Sequence, residues 1–368
     1  MRTTICLNMI VKDEGAVIER CLGPIKHLID SWCIVDTGST DDTKEKIQAI
    51  LGHIPGELHE RPWRDFGSNR TEALELARPH ADFLLFSDAA YVWEIDDGFA
   101  LPDLSEDAYF ARITMSGSSW RMPTLIRADK PWFYRSKSHS ALNCREGFRS
   151  ENIDGIRISH PSDGARRRSA DPKRKYQADI SNFHAELEEN PLNSRATFYL
   201  AQSYRDIGDL ESAIVWYRRR AEMVGWYEEV WFSLYQIGVL QARSGATDEV
   251  VAASYLSAYR SNPQRSEPLV ALSALCRQSK AYAMAHVYAC AARDLPYPKR
   301  DLLYVEDAAY TWMALDAYAI SAYWVGRYAE ARQANEALLA NDGLPALQRP
   351  RIETNLAFCL AKTAKEAA

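Results

Sequence analysis

The run Phe83-Leu84-Leu85-Phe86-Ser87-Asp88-Ala89-Ala90 decides how this chain is read. Its apolar half has strand length and its end is polar, which describes a buried strand delivering an acid at its carboxyl end. Open α/β sheets present their ligands at that end of the strands. Two residues beyond Asp88 stands alanine, whose methyl group can neither accept a hydrogen bond nor ligate a cation. One acid is offered where a pair would be expected.

The segments before this run repeat the same design. Ile5 to Val11 and Ser31 to Val35 are strand-like, a helix is expected from Ala16 to Ile29, and Asp41-Asp42-Thr43 opens another with acids in its first turn. A further helix, from about Asn69 to Ala77, leads into the Phe83 strand, and Tyr109–Met115 and Thr124–Arg127 read as later antiparallel strands. Apolar strands alternating with helices predict an α/β unit with a largely parallel sheet. The turn Asp36-Thr37-Gly38-Ser39-Thr40-Asp41 has two readings: Asp36 receives a ligand N–H or hydroxyl, or Asp36 braces the turn while Asp41 caps the helix.

From about Pro172 the pattern becomes almost continuous helix. Phe198–Tyr217 sets large and small residues around Gly208, and Ser321–Ala331 repeats the arrangement around Gly326, with looser copies near Gly245 and Tyr282. This half resembles a tetratricopeptide-repeat array, whose helix pairs must stack to bury a continuous core. Tyr199, Tyr204, Trp216, Tyr217, Tyr323 and Trp324 are read as packing between helices. The expected domains are 1–170, α/β, and 171–368, all-α.

Four ordered stretches carry a second resemblance: Leu7–Glu14, Ile34–Asp41, Asp65–Arg70 and Leu84–Ala89. Together they resemble the family 2 glycosyltransferases of the GT-A fold, a Rossmann-like mixed sheet. The resemblance implies a nucleotide-diphosphate sugar donor, usually a UDP-sugar, and an inverting transfer. By motif position Asp36 would hold the uracil, Asp13 or Glu14 would lie near the ribose, and Arg70 would fix base or phosphates. Asp88 would open the Asp-x-Asp element that coordinates Mn2+ or Mg2+, with Ala90 at the place of its second acid and metal affinity weakened accordingly. His160 is a candidate further ligand or a surface histidine. His139 and Asp107 are the candidate proton acceptors, His139 reading equally as a hydrogen-bonded structural histidine, and Ser140 follows His139 where many relatives carry Glu. Arg166, Arg167 and Arg168 would close over the diphosphate.

The bulk properties set the partners. A net charge of -6 over 368 residues argues against a nucleic-acid binder, so glycosylation of modified DNA bases is the remoter reading. The similar arrangement of bacterial peptide glycosyltransferases implies a peptide, protein or glycan acceptor, and the repeats could also pair two copies as a homodimer. Seven scattered cysteines without a CxxC pair read as reduced thiols, and the lack of a leader or a membrane-length apolar stretch leads to a cytoplasmic expectation. The competing expectation is a non-catalytic repeat scaffold whose α/β domain only binds nucleotide.

Overall fold

The computed structural model describes residues 2–136, 140–161, 163–164 and 173–366, which fall into two compact units, Met1–Asp209 and Leu210–Ala368. In the first, strand β1 (Ile5–Val11) pairs in parallel with β2 (Ser31–Asp36) and with β4 (Phe83–Phe86), and β2 pairs in parallel with β3 (Gly56–Glu60). The short β5 (Val92–Ile95), the long hairpin of β6 (Ala108–Met115) and β7 (Ser118–Arg127), and β10 (Ser150–Ser159) extend the sheet to the order β3-β2-β1-β4-β7-β6-β10-β5. A separate ribbon pairs β8 (Trp132–Arg135) with β9 (Ala141–Cys144). The mixed α/β sheet and the antiparallel later strands agree with the sequence reading.

Both faces of β1 and β2 are buried, which is why these strands read as continuous apolar runs. Helices α1 (Ile18–Ile25), α2 (Thr43–Leu51) and α3 (Phe66–Ala77) supply the cover. Ile18, Leu22, Ile25, Ile47 and Leu51 join Leu7, Met9 and Ile34 in one core, and Asn8 crosses to the other side, where Nδ2 donates to the carbonyls of Cys33 and Ala73. At Gly56 the backbone lies on the buried Trp32 indole, and a Cβ there would come within 2.3 Å of the ring. Gly56→Ala is expected to lower stability by about 1–3 kcal/mol through this overpacking, as read by urea denaturation.

Helices α4 (Arg174–Glu189) and α5 (Ser194–Ile207) form a hairpin within the first unit, where His184 Nε2 lies 2.9 Å from the Tyr204 hydroxyl. Strand β10 ends at Ser159 and the helical run begins at Arg174, whereas the compact units divide after Asp209.

The second unit consists of paired helices α6 (Leu210–Glu222), α7 (Tyr227–Arg243), α8 (Asp248–Ser261), α9 (Glu267–Gln278), α10 (Tyr282–Arg293), α11 (Ala314–Trp324), α12 (Tyr328–Leu339) and α13 (Arg349–Glu366). Alanines let the last pairs approach closely: Ala289, Ala317, Ala319, Ala322, Ala331 and Ala334 are all buried. Of the aromatic positions, Tyr199 and Tyr217 are buried as expected, but Trp324 is exposed and stacks on Tyr282 with 4.5 Å between ring centroids.

One part of this unit breaks the repeat pattern. The long connection between α10 and α11 folds onto α7 and α9 around Arg265, which is wholly buried, binds Glu267 and Asp301, donates to the Tyr304 carbonyl and lies 3.6 Å over the Trp231 ring. Glu228 accepts from the amides of Leu302 and Leu303, both at 2.7 Å, and Glu306 accepts from the Tyr235 hydroxyl. Burial raises both glutamates to about 7, with Asp301 adding to the effect on Glu228 and Glu267 to that on Glu306. A carboxyl raised in the folded state favours folding while protonated, and that contribution is lost as pH rises from about 4.5 through about 7. Stability is therefore expected to fall over this range less steeply in Glu306→Gln than in the parent. Paired denaturation curves isolate the glutamate from the opposite trend of His286, whose imidazole burial lowers.

Candidate functional site

The parallel pairing of β1 with β2 and β4 brings three chain segments to one edge of the sheet, with Val11 opposite Asp36 and Asn8 opposite Phe86. At the end of β2, Asp36 is 1% exposed. Its Oδ1 accepts from the amides of Gly38 and Ser39, at 2.9 and 2.8 Å, whereas Oδ2 is buried with no hydrogen-bond partner among the described residues. Gly38 has φ +106°, a backbone that side-chain-bearing residues rarely adopt, and this turns the two amides back onto the carboxylate. Asp36 both braces the turn and keeps one acceptor in reserve.

The end of β1 locks onto the same turn. Asp13, at φ +53°, accepts the Thr40 amide on Oδ1 at 2.7 Å and donates its own amide to Ser39 Oγ. The Glu14 amide donates to Thr43 Oγ1, and Asp41 receives the Gly15 amide and the Thr43 hydroxyl. Burial pushes the Asp41 carboxyl up, but the Thr43 hydroxyl and the surrounding amides outweigh it and leave it below its ordinary value. Asp41 thus braces the turn, and Asp13 spends an oxygen on it as well.

At the end of β4, Asp88 is held by an arginine. Arg70 Nη2 donates to Asp88 Oδ1 at 2.9 Å, Nη1 donates to the Ser140 hydroxyl at 3.1 Å, and the guanidinium lies 5.5 and 5.7 Å from the centroids of Phe66 and Tyr134. Burial opposes the charge, but Asp88 and the Tyr134 and Tyr91 hydroxyls hold Arg70 above the usual arginine value. Beneath the pair, Ser87 Oγ accepts from Trp93 Nε1 at 3.0 Å and lies 3.1 Å from Cys21 Sγ.

Position 90 is surrounded differently. The Ala90 carbonyl accepts from Arg20 Nη2 at 3.2 Å, and the same guanidinium is bidentate to Asp163. A Cβ placed on Gly164 would fall 3.0 Å from the Ala90 methyl and 3.6 Å from a Glu14 carboxylate oxygen. Among the described residues no group of three or more His, Cys, Asp or Glu is arranged to hold a cation. With Asp88 tied to Arg70 and a methyl at position 90, the residues present do not fit the divalent cation expected from the sequence. His160 does not correct this: its amide donates to the Thr114 carbonyl and its ring packs edge-on against Tyr91, 5.2 Å between centroids.

Asp107 is a correction to the sequence reading. It precedes β6, which runs parallel to β4 across β7, so it stands at the amino-terminal end of these strands, beside Arg127 and away from Asp36 and Asp88. The Arg149 amide and Lys130 Nζ both donate to Asp107 Oδ2 at 2.8 Å and hold the carboxyl below its ordinary value. That makes it a structural anchor, not an acceptor of a substrate proton. Asp107→Asn is expected to cost about 1–2 kcal/mol at pH 7 and less below pH 4, as measured by chemical denaturation, since a depressed carboxyl loses its contribution as pH falls. His139, Arg166, Arg167 and Arg168 lie outside the described residues.

Strand register sets these groups along one edge of the sheet: Asp13 and Asp36 share the turn after β2, Arg70 pairs with Asp88 beside Ser140 and Tyr134 after β4, and Arg20 pairs with Asp163 at the Ala90 carbonyl. Arg20 and Asp163 are 143 residues apart, a pairing that no local pattern announces.

No protein-family model matches the chain. A TPR repeat-containing protein of Synechococcus elongatus is 35% identical over 86 residues, 23% of this chain and 20% of that protein. The chain thus spans about a fifth of the length of the curated relative it matches. Solved structures with similarity include BtubC from P. vanneervenii (TM-score 0.41, 15% identity, 55% of this chain and 85% of that one). A tetratricopeptide repeat protein from Parabacteroides merdae (0.39, 18%, 52% and 70%) and YrrB, described as a TPR protein with an unusual peptide-binding site (0.40, 15%, 50% and 85%), are two more. The helical half is a tetratricopeptide-like repeat region by its own helix pairs. No helix among the described residues is long and apolar enough to cross a membrane.

Proposed function

We propose that the α/β unit is a GT-A-type glycosyltransferase domain that binds a uridine-diphosphate sugar, and that the repeats hold a peptide or protein acceptor. The observation that carries this reading is Asp36 Oδ2, a buried acceptor with no hydrogen-bond partner among the described residues, at the strand end where the family resemblance puts the base. A buried unsatisfied carboxylate oxygen costs free energy until a donor reaches it, and the uracil imide N–H is such a donor. Arg70, charged and fixed between Asp88, Ser140 and two aromatic rings, supplies a preorganised cation at the end of β4, on the same edge of the sheet. The proton acceptor for the transfer is left unassigned, since Asp107 belongs to the other end of the sheet.

Ala90 favours a second reading, in which the domain binds nucleotide without turnover and the chain acts as an interaction scaffold. Calorimetry with UDP, followed by hydrolysis assays over a panel of UDP-sugars, separates the two. UDP is expected to bind the parent, and Asp36→Ala to weaken it by roughly tenfold or more. UDP binding without turnover of any sugar supports the scaffold, and absence of UDP binding overturns both.

A further inference from the structure

The cation expected at position 90 does not fit its surroundings, yet two guanidinium groups frame the same strand end. Arg70 is anchored by Asp88 and Arg20 by Asp163, each through a carboxylate that fixes its direction. Arg20 also donates to the Ala90 carbonyl, and so stands at the backbone of the residue where an acid would have carried a metal. Its side chain is about one-third exposed, its Nε is buried with no hydrogen-bond partner among the described residues, and Asp163 holds it above the ordinary arginine value. An arginine can bind a phosphate through two parallel N–H donors and so supply positive charge where a divalent cation would otherwise coordinate the phosphate oxygens.

Resting on the donor reading above, we propose that this chain binds its nucleotide diphosphate without a divalent cation, with Arg20 as the phosphate-neutralising group in place of the metal. Asp163 keeps Arg20 in position while the site is empty, and the incoming diphosphate exchanges with that carboxylate for the guanidinium. The identity of residue 90 then follows from charge: an acid there would face the same phosphate oxygens with no cation between them.

The test is calorimetry of UDP on the full chain in EDTA and in Mn2+, with the parent, Arg20→Gln and Asp163→Asn. The expected result is equal affinity in the two buffers, a dissociation constant raised roughly tenfold or more in Arg20→Gln, and one unchanged or lowered in Asp163→Asn. If Arg20 merely anchors the loop through Asp163, the two substitutions weaken binding alike and the proposal falls. Binding that requires Mn2+, or that ignores Arg20→Gln, also overturns it. Failure of UDP to bind the parent in either buffer overturns the donor reading itself.

Discussion

The parallel register of β1 between β2 and β4 is the constraint on which the first unit depends. Six consecutive residue pairs join β1 to β2, and four join it to β4. Because all three strands run the same way, their last residues must share an edge, and the side chains of Asp36 and Asp88 are delivered to it without any loop having to search for them. Asn8 secures this arrangement from inside. A buried amide bonded to the Cys33 and Ala73 carbonyls ties the second strand and the third helix to the first strand, so the sheet, its cover and its functional edge are set by one short segment.

The electrostatics of that edge are economical. Carboxylates used to shape the backbone, Asp13 and Asp41, accept from amides and hydroxyls, whereas Asp88 and Asp163 are matched to arginines. Asp36 stands between the two classes, with one oxygen in the turn and one unmatched. The buried group around Arg265 in the repeat unit follows another rule. Glu228, Glu267, Asp301 and Glu306 gather near a single guanidinium, so full ionisation is disfavoured and protons become part of the packing.

Much of this was legible in the chain because local physics wrote it there. The Ile5 and Phe83 runs are apolar on both faces, so strand and burial followed directly. The turn from Asp36 to Asp41 announced itself through Gly38 and its Asx-forming acids. Asp107 was misjudged since an acid at the start of a strand looks like one at its end until strand direction is known, and direction across the β6–β7 hairpin is a tertiary fact. The Arg20–Asp163 pair left no trace for a similar reason: a charged residue on an amphipathic helix normally faces water. Trp324 fits the repeat pattern as a large residue near a Gly turn, but its position left it stacked at the surface on Tyr282.

Ala90 and Gly164 meet so closely that each limits the size of the other. A β-carbon at position 164 would have to push the Ala90 methyl aside, next to the Asp163 carboxylate that holds Arg20. An added side chain at Gly164 would press on the Ala90 methyl and on the Glu14 carboxylate together, so the glycine keeps this corner of the sheet edge open.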